Sequence, residues 1–127
     1  MDISKYSKKT QKQLKAKAIS VFNAYIRKRD SELGCISCGS HKDIQAGHFY
    51  SAGHHELLRF NEDNVNSQCL RCNYHLSANL INYRKNLIKK IGIDRVEKLD
   101  YLAQVGKRQR VNLHDRFTLI DIIEKYK

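Results

Sequence analysis

The sequence predicts an α+β fold, mainly helical, with a small ββα core set between N- and C-terminal helices. Three observations predict it. Two Cys-x-x-Cys pairs, Cys35/Cys38 and Cys69/Cys72, stand 30 residues apart. Two short stretches of strand character lie between the pairs. On either side, apolar residues recur at the three- and four-residue spacings of amphipathic helices.

The elements follow in chain order. Residues 1–11 are polar and basic (Lys5, Lys8, Lys9) and read as a flexible arm, either disordered or touching phosphates. Residues 12–30 form a helix with Leu14, Ala18, Val21, Phe22, Tyr25 and Ile26 on one side. Residues 31–79 form the core. Ile44 to Tyr50 is its first strand, turned by Ser51-Ala52-Gly53. Asn64 to Gln68 is its second strand, and Cys72 opens a helix. Residues 80–127 supply the remaining helices. The first continues the helix opened at Cys72, from about Ala78 to Ile91, and buries Leu80, Tyr83, Leu87, Ile88 and Ile91, with Gly92 as its cap. The second is capped by Asp94, carries Val96, Leu99, Leu102 and Ala103, and ends at Gly106. A basic linker (Lys107, Arg108, Arg110) leads to a last helix after Asn112, burying Phe117, Ile120, Ile123 and Tyr126. All 127 residues fit one domain.

The cysteines carry the strongest signal. Cys-x-x-Cys-Gly is the shape of a knuckle that aims two thiolates at one point, with Gly39 supplying the backbone freedom. Four thiolates from Cys35, Cys38, Cys69 and Cys72 make a closed tetrahedral zinc site, which is structural because it leaves no open position. The alternative is four buried reduced thiols. Disulfides are disfavoured in a cytosolic setting. That setting is expected because the Lys-rich start lacks the apolar stretch of a signal peptide. No run approaches the ~18 apolar residues of a membrane span.

Lysine and arginine number 24 against 13 acidic residues, a formal net charge of +11. A domain this basic points to a polyanionic partner, nucleic acid first. No membrane and no small-molecule cofactor are expected.

Between the cysteine pairs stand Ala46-Gly47-His48-Phe49 and Asn64, and Asn73 directly follows the second pair. This order resembles the HNH, or ββα-metal, nucleases. His48 takes the place of the first histidine, Asn64 of the central asparagine, and Asn73 of the final position, which is asparagine in several branches. More of the chain resembles the phage Rap (NinG) family of recombination endonucleases. The segments that carry this include Asn23-Ala24-Tyr25-Ile26-Arg27-Lys28-Arg29-Asp30, Ala46-Gly47-His48, Leu58-Arg59-Phe60-Asn61-Glu62, Cys72-Asn73 and Tyr83-Arg84. The resemblance implies a treble-clef-like core and metal-dependent cleavage of branched DNA, such as Holliday junctions and D-loops. For a phage-encoded protein the setting would be the cytoplasm of the bacterial host.

The chemistry of the residues is compatible with this. A neutral His48 can take a proton from water. Asn73 can offer a carboxamide oxygen to Mg²⁺ or Mn²⁺. Asn64 braces the hairpin loop and orients His48. Arg59 and Arg71 are candidates for phosphate contact, as are Arg84 and Lys85, for which the alternative is a solvated helix face. One departure stands out. Many superfamily members carry a second metal ligand just before the catalytic histidine, where this chain has Gly47. His75 is the first candidate to complete the shell, followed by Glu62, His54 and His55. A four-way junction has near two-fold symmetry, so a homodimer is expected. Three alternatives share the charge and the cysteines: an HNH nicking enzyme for linear duplex, a non-catalytic zinc module that binds nucleic acid, and a zinc protein that docks on a partner.

Overall fold

A computed structural model describes residues 2–108 and 114–127, with 107 and 108 described through their backbone alone. Helix α1 (Gln11–Arg29) opens with a capping box. The Thr10 hydroxyl accepts the Gln13 N–H at 3.1 Å, and the Gln13 side chain accepts the Thr10 N–H at 2.9 Å. Leu14, Ala18, Phe22 and Ile26 recur every four residues and are all buried. Strands β1 (Ile44–His48) and β2 (Val65–Cys69) pair antiparallel, with Gly47 opposite Asn66 and His48 opposite Val65.

After β2 the chain makes a wide helical turn, Arg71–His75, and then breaks. Ser77, Ala78 and Asn79 all take left-handed backbone angles, with φ of 49°, 74° and 45°. Only then does α2 (Leu80–Ile91) begin. The helix expected to run on from Cys72 is therefore two pieces. The break shifts the phase of α2, so Leu80, expected in the core, is 47% exposed.

Gly92, at φ 90°, is the single residue between α2 and α3 (Ile93–Arg108). The Gly92 carbonyl accepts the Val96 N–H at 3.3 Å. Asp94 consequently lies in the first turn of α3 rather than at its cap, where its carboxylate meets the positive end of the helix. Gly106 does not end α3. A Cβ there would meet Leu57 side-chain carbons at 3.1 Å, so the glycine serves close packing. Arg110 and Asn112, read as linker and helix boundary, lie outside the described residues.

Helix α4 (Arg116–Tyr126) is capped by Asp115, whose carboxylate accepts the Thr118 N–H at 2.8 Å. Its buried residues are Leu119, Ile120 and Ile123. Phe117, expected inside, is 63% exposed.

Two apolar clusters hold the elements together. Phe49, Leu58, Tyr83, Leu87, Val96 and Leu99 join the hairpin to α2 and α3. Tyr6, Leu14, Ala18, Leu119, Ile120 and Ile123 join α1 to α4. Each fully buried Leu or Phe contributes about 1.5–3 kcal/mol. Tyr6 belongs to the segment expected to be a flexible arm, yet it is only 6% exposed. Its hydroxyl donates to Glu124 at 2.6 Å, and Arg116 donates to the Tyr6 and Lys9 carbonyls. A smaller cluster, Phe22, Ile26 and Val65, seats α1 against the hairpin.

Beside it lies a buried ionic knot. Asp30, 2% exposed, accepts from Arg29 at 2.8 Å, from the Ser67 N–H at 3.0 Å and from Lys90 at 3.0 Å. Burial pushes its carboxyl up, but these donors outweigh burial and hold it below the usual carboxylate range. The knot ties α1, β2 and α2 together. Among the described residues, no helix is long and apolar enough to cross a membrane.

Candidate active site and metal centre

The four cysteines converge. The Sγ atoms of Cys35, Cys38, Cys69 and Cys72 all lie within 4.8 Å of one another. Cys38 and Cys69 are 3.6 Å apart at sulfur, too far for a disulfide at about 2.05 Å. A tetrahedral ion with Zn–S near 2.3 Å needs sulfurs about 3.8 Å apart. The Cys69 sulfur accepts the Cys72 N–H at 3.4 Å, and the Cys72 sulfur accepts from the Asn79 amide at 3.5 Å. These donors favour thiolates, although burial and the neighbouring sulfurs push the Cys72 thiol up to about 12; the convergence of four sulfurs is what fits an ion such as zinc. The ion would join the knuckle before β1 to the end of β2 and the turn that leads to α2.

His48 sits at the end of β1. Its Nε2 lies 3.0 Å from the Arg59 carbonyl. A carbonyl only accepts, so Nε2 carries the hydrogen and Nδ1 is left with the lone pair. Burial lowers the imidazole pKa, and the nearby Arg59 charge acts the same way against the hydrogen bond to the carbonyl. A neutral ring at neutral pH follows.

The Arg59 carbonyl is itself held in place. The Arg59 guanidinium makes a two-pronged pair with Glu56, at 2.8 and 2.7 Å. Glu56 also meets Lys15 of α1 at 3.3 Å and His114 at 3.1 Å. Arg59 chiefly, with Lys15 helping and burial opposing, holds the Glu56 carboxyl down to about 2.

Asn64 is fully buried and its carboxamide is spent on the loop. Its Nδ2 donates to the Tyr50 and Leu58 carbonyls at 3.0 and 3.1 Å, and its Oδ1 accepts the Tyr50 N–H at 2.9 Å. By fixing the Leu58 carbonyl it steadies the peptide next to the one that holds His48.

A solvent-open groove of about 1110 Å³ brings His48, His55, Asn73, Arg84 and Lys85 to one place. The Asn73 Nδ2 donates to Gln45 at 2.9 Å, which leaves its Oδ1 as the atom available to a cation. Arg84 is held by Asp100 through bonds at 3.0 and 2.8 Å, and its guanidinium carbon lies 5.9 Å from the centre of the Phe49 ring. Asp100 also accepts from the Tyr50 hydroxyl at 2.5 Å; burial first, then that bond, pushes the phenol up to about 12. Lys85 is exposed and makes no ion pair among the described residues.

Other sequence candidates are not brought there. His75 and Arg71 line a separate groove of about 420 Å³ beside Cys38 and Cys69. Arg59 is committed to Glu56. His54 is exposed, with its Nδ1 2.9 Å from the Ser51 hydroxyl, and Glu62 accepts from Tyr25 at 3.2 Å and Tyr126 at 2.9 Å.

Gly47 has a spatial cause. A Cβ at this position would lie 2.0 Å from the Gln68 Oε1 and 2.7 Å from its Cβ. Gln68 is fully buried and donates to Ser37 at 3.0 Å and to the Ala78 carbonyl at 2.6 Å. No ligand-bearing side chain fits before His48.

Sequence reasoning missed Gln45, Glu56, Gln68 and Asp100, the residues that hold the groove's side chains or shape its wall. Only Glu56 left a local signal, its three-residue spacing from Arg59.

A family model described as the bacteriophage lambda NinG protein matches residues 1–127. Among curated proteins, the protein ninG of Escherichia phage lambda is 46% identical over 80 residues, which are 61% of this chain and 39% of that protein. The protein ninG of Salmonella phage P22 is also 46% identical over 80 residues, with the same coverage, and that of Escherichia phage 933W is 45% identical, covering 61% of this chain and 40% of its own length. The match thus takes in about two fifths of each relative. No solved structure matches. With its whole length matched, the chain belongs to the family of the bacteriophage lambda NinG protein.

Proposed function

We propose that the protein is a metal-dependent DNA endonuclease of the HNH type that cuts branched recombination intermediates. One observation carries this reading: a neutral histidine with its Nδ1 lone pair left open shares a groove with an asparagine carboxamide and two cations. His48 takes the proton of the attacking water at Nδ1, while the Arg59 carbonyl fixes the ring through Nε2–H. Asn73 would hold Mg²⁺ or Mn²⁺ through its carboxamide oxygen, and His55, which lines the same groove, is better placed than His75 to share in holding it. When bound there, such an ion would supply charge neutralisation to the scissile phosphate. Lys85 and Arg84 meet the phosphate backbone. Water attack with departure of the 3′ oxygen leaves 5′-phosphate and 3′-hydroxyl ends. Cys35, Cys38, Cys69 and Cys72 would hold a structural zinc that fastens the hairpin to the turn that bears Asn73. Cleavage of a four-way junction in two strands calls for a homodimer.

The test compares matched linear and four-way DNA with Mg²⁺ or Mn²⁺. Wild type is expected to cut the junction, and His48→Ala to bind it without cutting. Undiminished cutting by the variant would remove His48 from the reaction. No cutting of any DNA by zinc-loaded wild type would leave a non-catalytic binding module.

A further inference from the structure

The left-handed turn Ser77-Ala78-Asn79 is a costly conformation for three successive residues that are not glycine. It is firmly anchored. The Ala78 carbonyl accepts from Gln68 at 2.6 Å and from Ser37 at 3.4 Å, and the Asn79 N–H bonds the Leu76 carbonyl at 2.9 Å. The Asn79 side chain reaches the Cys72 sulfur at 3.5 Å. What the turn produces is apolar surface in water. Leu76 is 44% exposed, Leu80 47% and Ile81 87%. Leu80 and Ile81 line the same groove as His48, Asn73, Arg84 and Lys85. The fold thus holds a rigid apolar lip beside the candidate cleavage centre, with cations one turn further along α2.

We propose that Leu80 and Ile81 pack against unstacked bases at a branch point and so select branched over continuous nucleic acid. This rests on the nuclease reading for its biological sense, but not for its physics. A continuous duplex shows a protein its charged backbone and base edges, while the apolar faces of its bases are hidden in the stack. Those faces come to the surface where stacking is broken, and apolar side chains are the groups that fill such gaps. The cations beside the lip match the phosphates that flank the branch. A second copy of this chain is the poorer occupant, because it would bring the same Lys85-bearing face, on another +11 chain, against the first.

The test uses the full zinc-loaded chain in EDTA-free buffer without Mg²⁺ or Mn²⁺, so that binding is read apart from cutting. The probes are a four-way junction with 2-aminopurine at the branch and a matched linear duplex. Leu80→Ser and Ile81→Ser alter exposed side chains and leave the core untouched. Each is expected to weaken junction binding about tenfold, to leave duplex binding within about twofold, and to abolish the fluorescence change at the branch. Equal loss on both DNAs, or no loss on either, would overturn the proposal. So would variants that change sedimentation of the free protein but not junction binding, which would make the lip a contact between copies. His48→Ala should keep the fluorescence change. If wild type binds the junction through the lip yet never cuts, the nuclease reading falls and the lip stands.

Discussion

Gly47→Ala tests the packing that shapes the wall behind His48. The added methyl would lie 2.0 Å from the Gln68 Oε1, 2.7 Å from its Cβ and 2.9 Å from its Cδ. The Cβ cannot swing away by rotation, and withdrawing the amide breaks its bonds to Ser37 and Ala78. Overpacking costs about 1–3 kcal/mol, and two lost hydrogen bonds add about 1 kcal/mol each. The expected destabilisation is about 3–5 kcal/mol, a large share of the roughly 5–15 kcal/mol that holds a domain together. At about 4 °C per kcal/mol, Tm should fall by about 12–20 °C. Thermal and denaturant unfolding of zinc-loaded protein would measure it. Gln68→Ala removes two of the three clashing atoms, so the double variant should be less damaged than the sum of the singles by about 1–2 kcal/mol. A Gly47→Ala protein within about 0.5 kcal/mol of wild type would refute the reasoning. Gly47→Asp should destabilise at least as much and gain no metal affinity.

The other expectations are briefer. Metal analysis should find about one zinc per chain, and stripping it with a chelator, or Cys72→Ser, should unfold the hairpin core with loss of far-UV dichroism, since metal affinity in such sites is folding energy. His48→Ala should slow single-turnover cleavage by about 10²–10⁴-fold with junction affinity kept. Because burial lowers the His48 pKa, the active neutral ring persists as pH falls, and the wild-type rate should stay level through about pH 6.5 and drop only below it. Glu56→Gln should cost about 1 kcal/mol at neutral pH, as expected of a partly exposed pair. Glu56 is held down to about 2 from 4.5, so its contribution is complete above about pH 5 and lost as pH falls toward 2. The variant should lack that portion of the acid-unfolding curve.

Legibility of the fold followed the range of the forces involved. The cysteine spacing, the two strands and the α1 stripe are local patterns, and each element stands within two residues of where the sequence puts it. Tyr6 is one aromatic in a polar run, with no periodic partner to mark it. Its burial depends on α4, more than 100 residues away. Leu80 fits the helical period of α2, but periodicity cannot register a left-handed turn that resets the phase just before it. Gly106 carries the usual signature of a helix end, and only the approach of Leu57 from another segment explains a glycine inside α3. In α4, Phe117 matches Ile120 and Ile123 in helical spacing, but the buried stripe is Leu119, Ile120 and Ile123, on the side turned away from Phe117, which is 63% exposed.

The candidate site divides along the same line, and charge accounting separates its members. The basic residues read as phosphate contacts are equal in sequence, but not in the fold. Arg59 has its fork filled by a Glu56 carboxylate that also serves Lys15 and His114. Drawing it onto a phosphate would strand a partly buried acid, so its service to the groove runs through its main-chain carbonyl and His48. Arg84 is also paired, but with Asp100 at the groove wall, 38% exposed and resting near Phe49, so a phosphate can share the guanidinium without uncovering a buried charge. Lys85 is exposed with no ion pair to surrender among the described residues. A phosphate entering the groove should therefore meet Lys85 first, Arg84 second and Arg59 not at all. Charge-removing variants should rank in that order in the salt dependence of binding, with Lys85→Gln lowering the slope by about one ion and Arg59→Gln acting instead on stability and on the setting of His48.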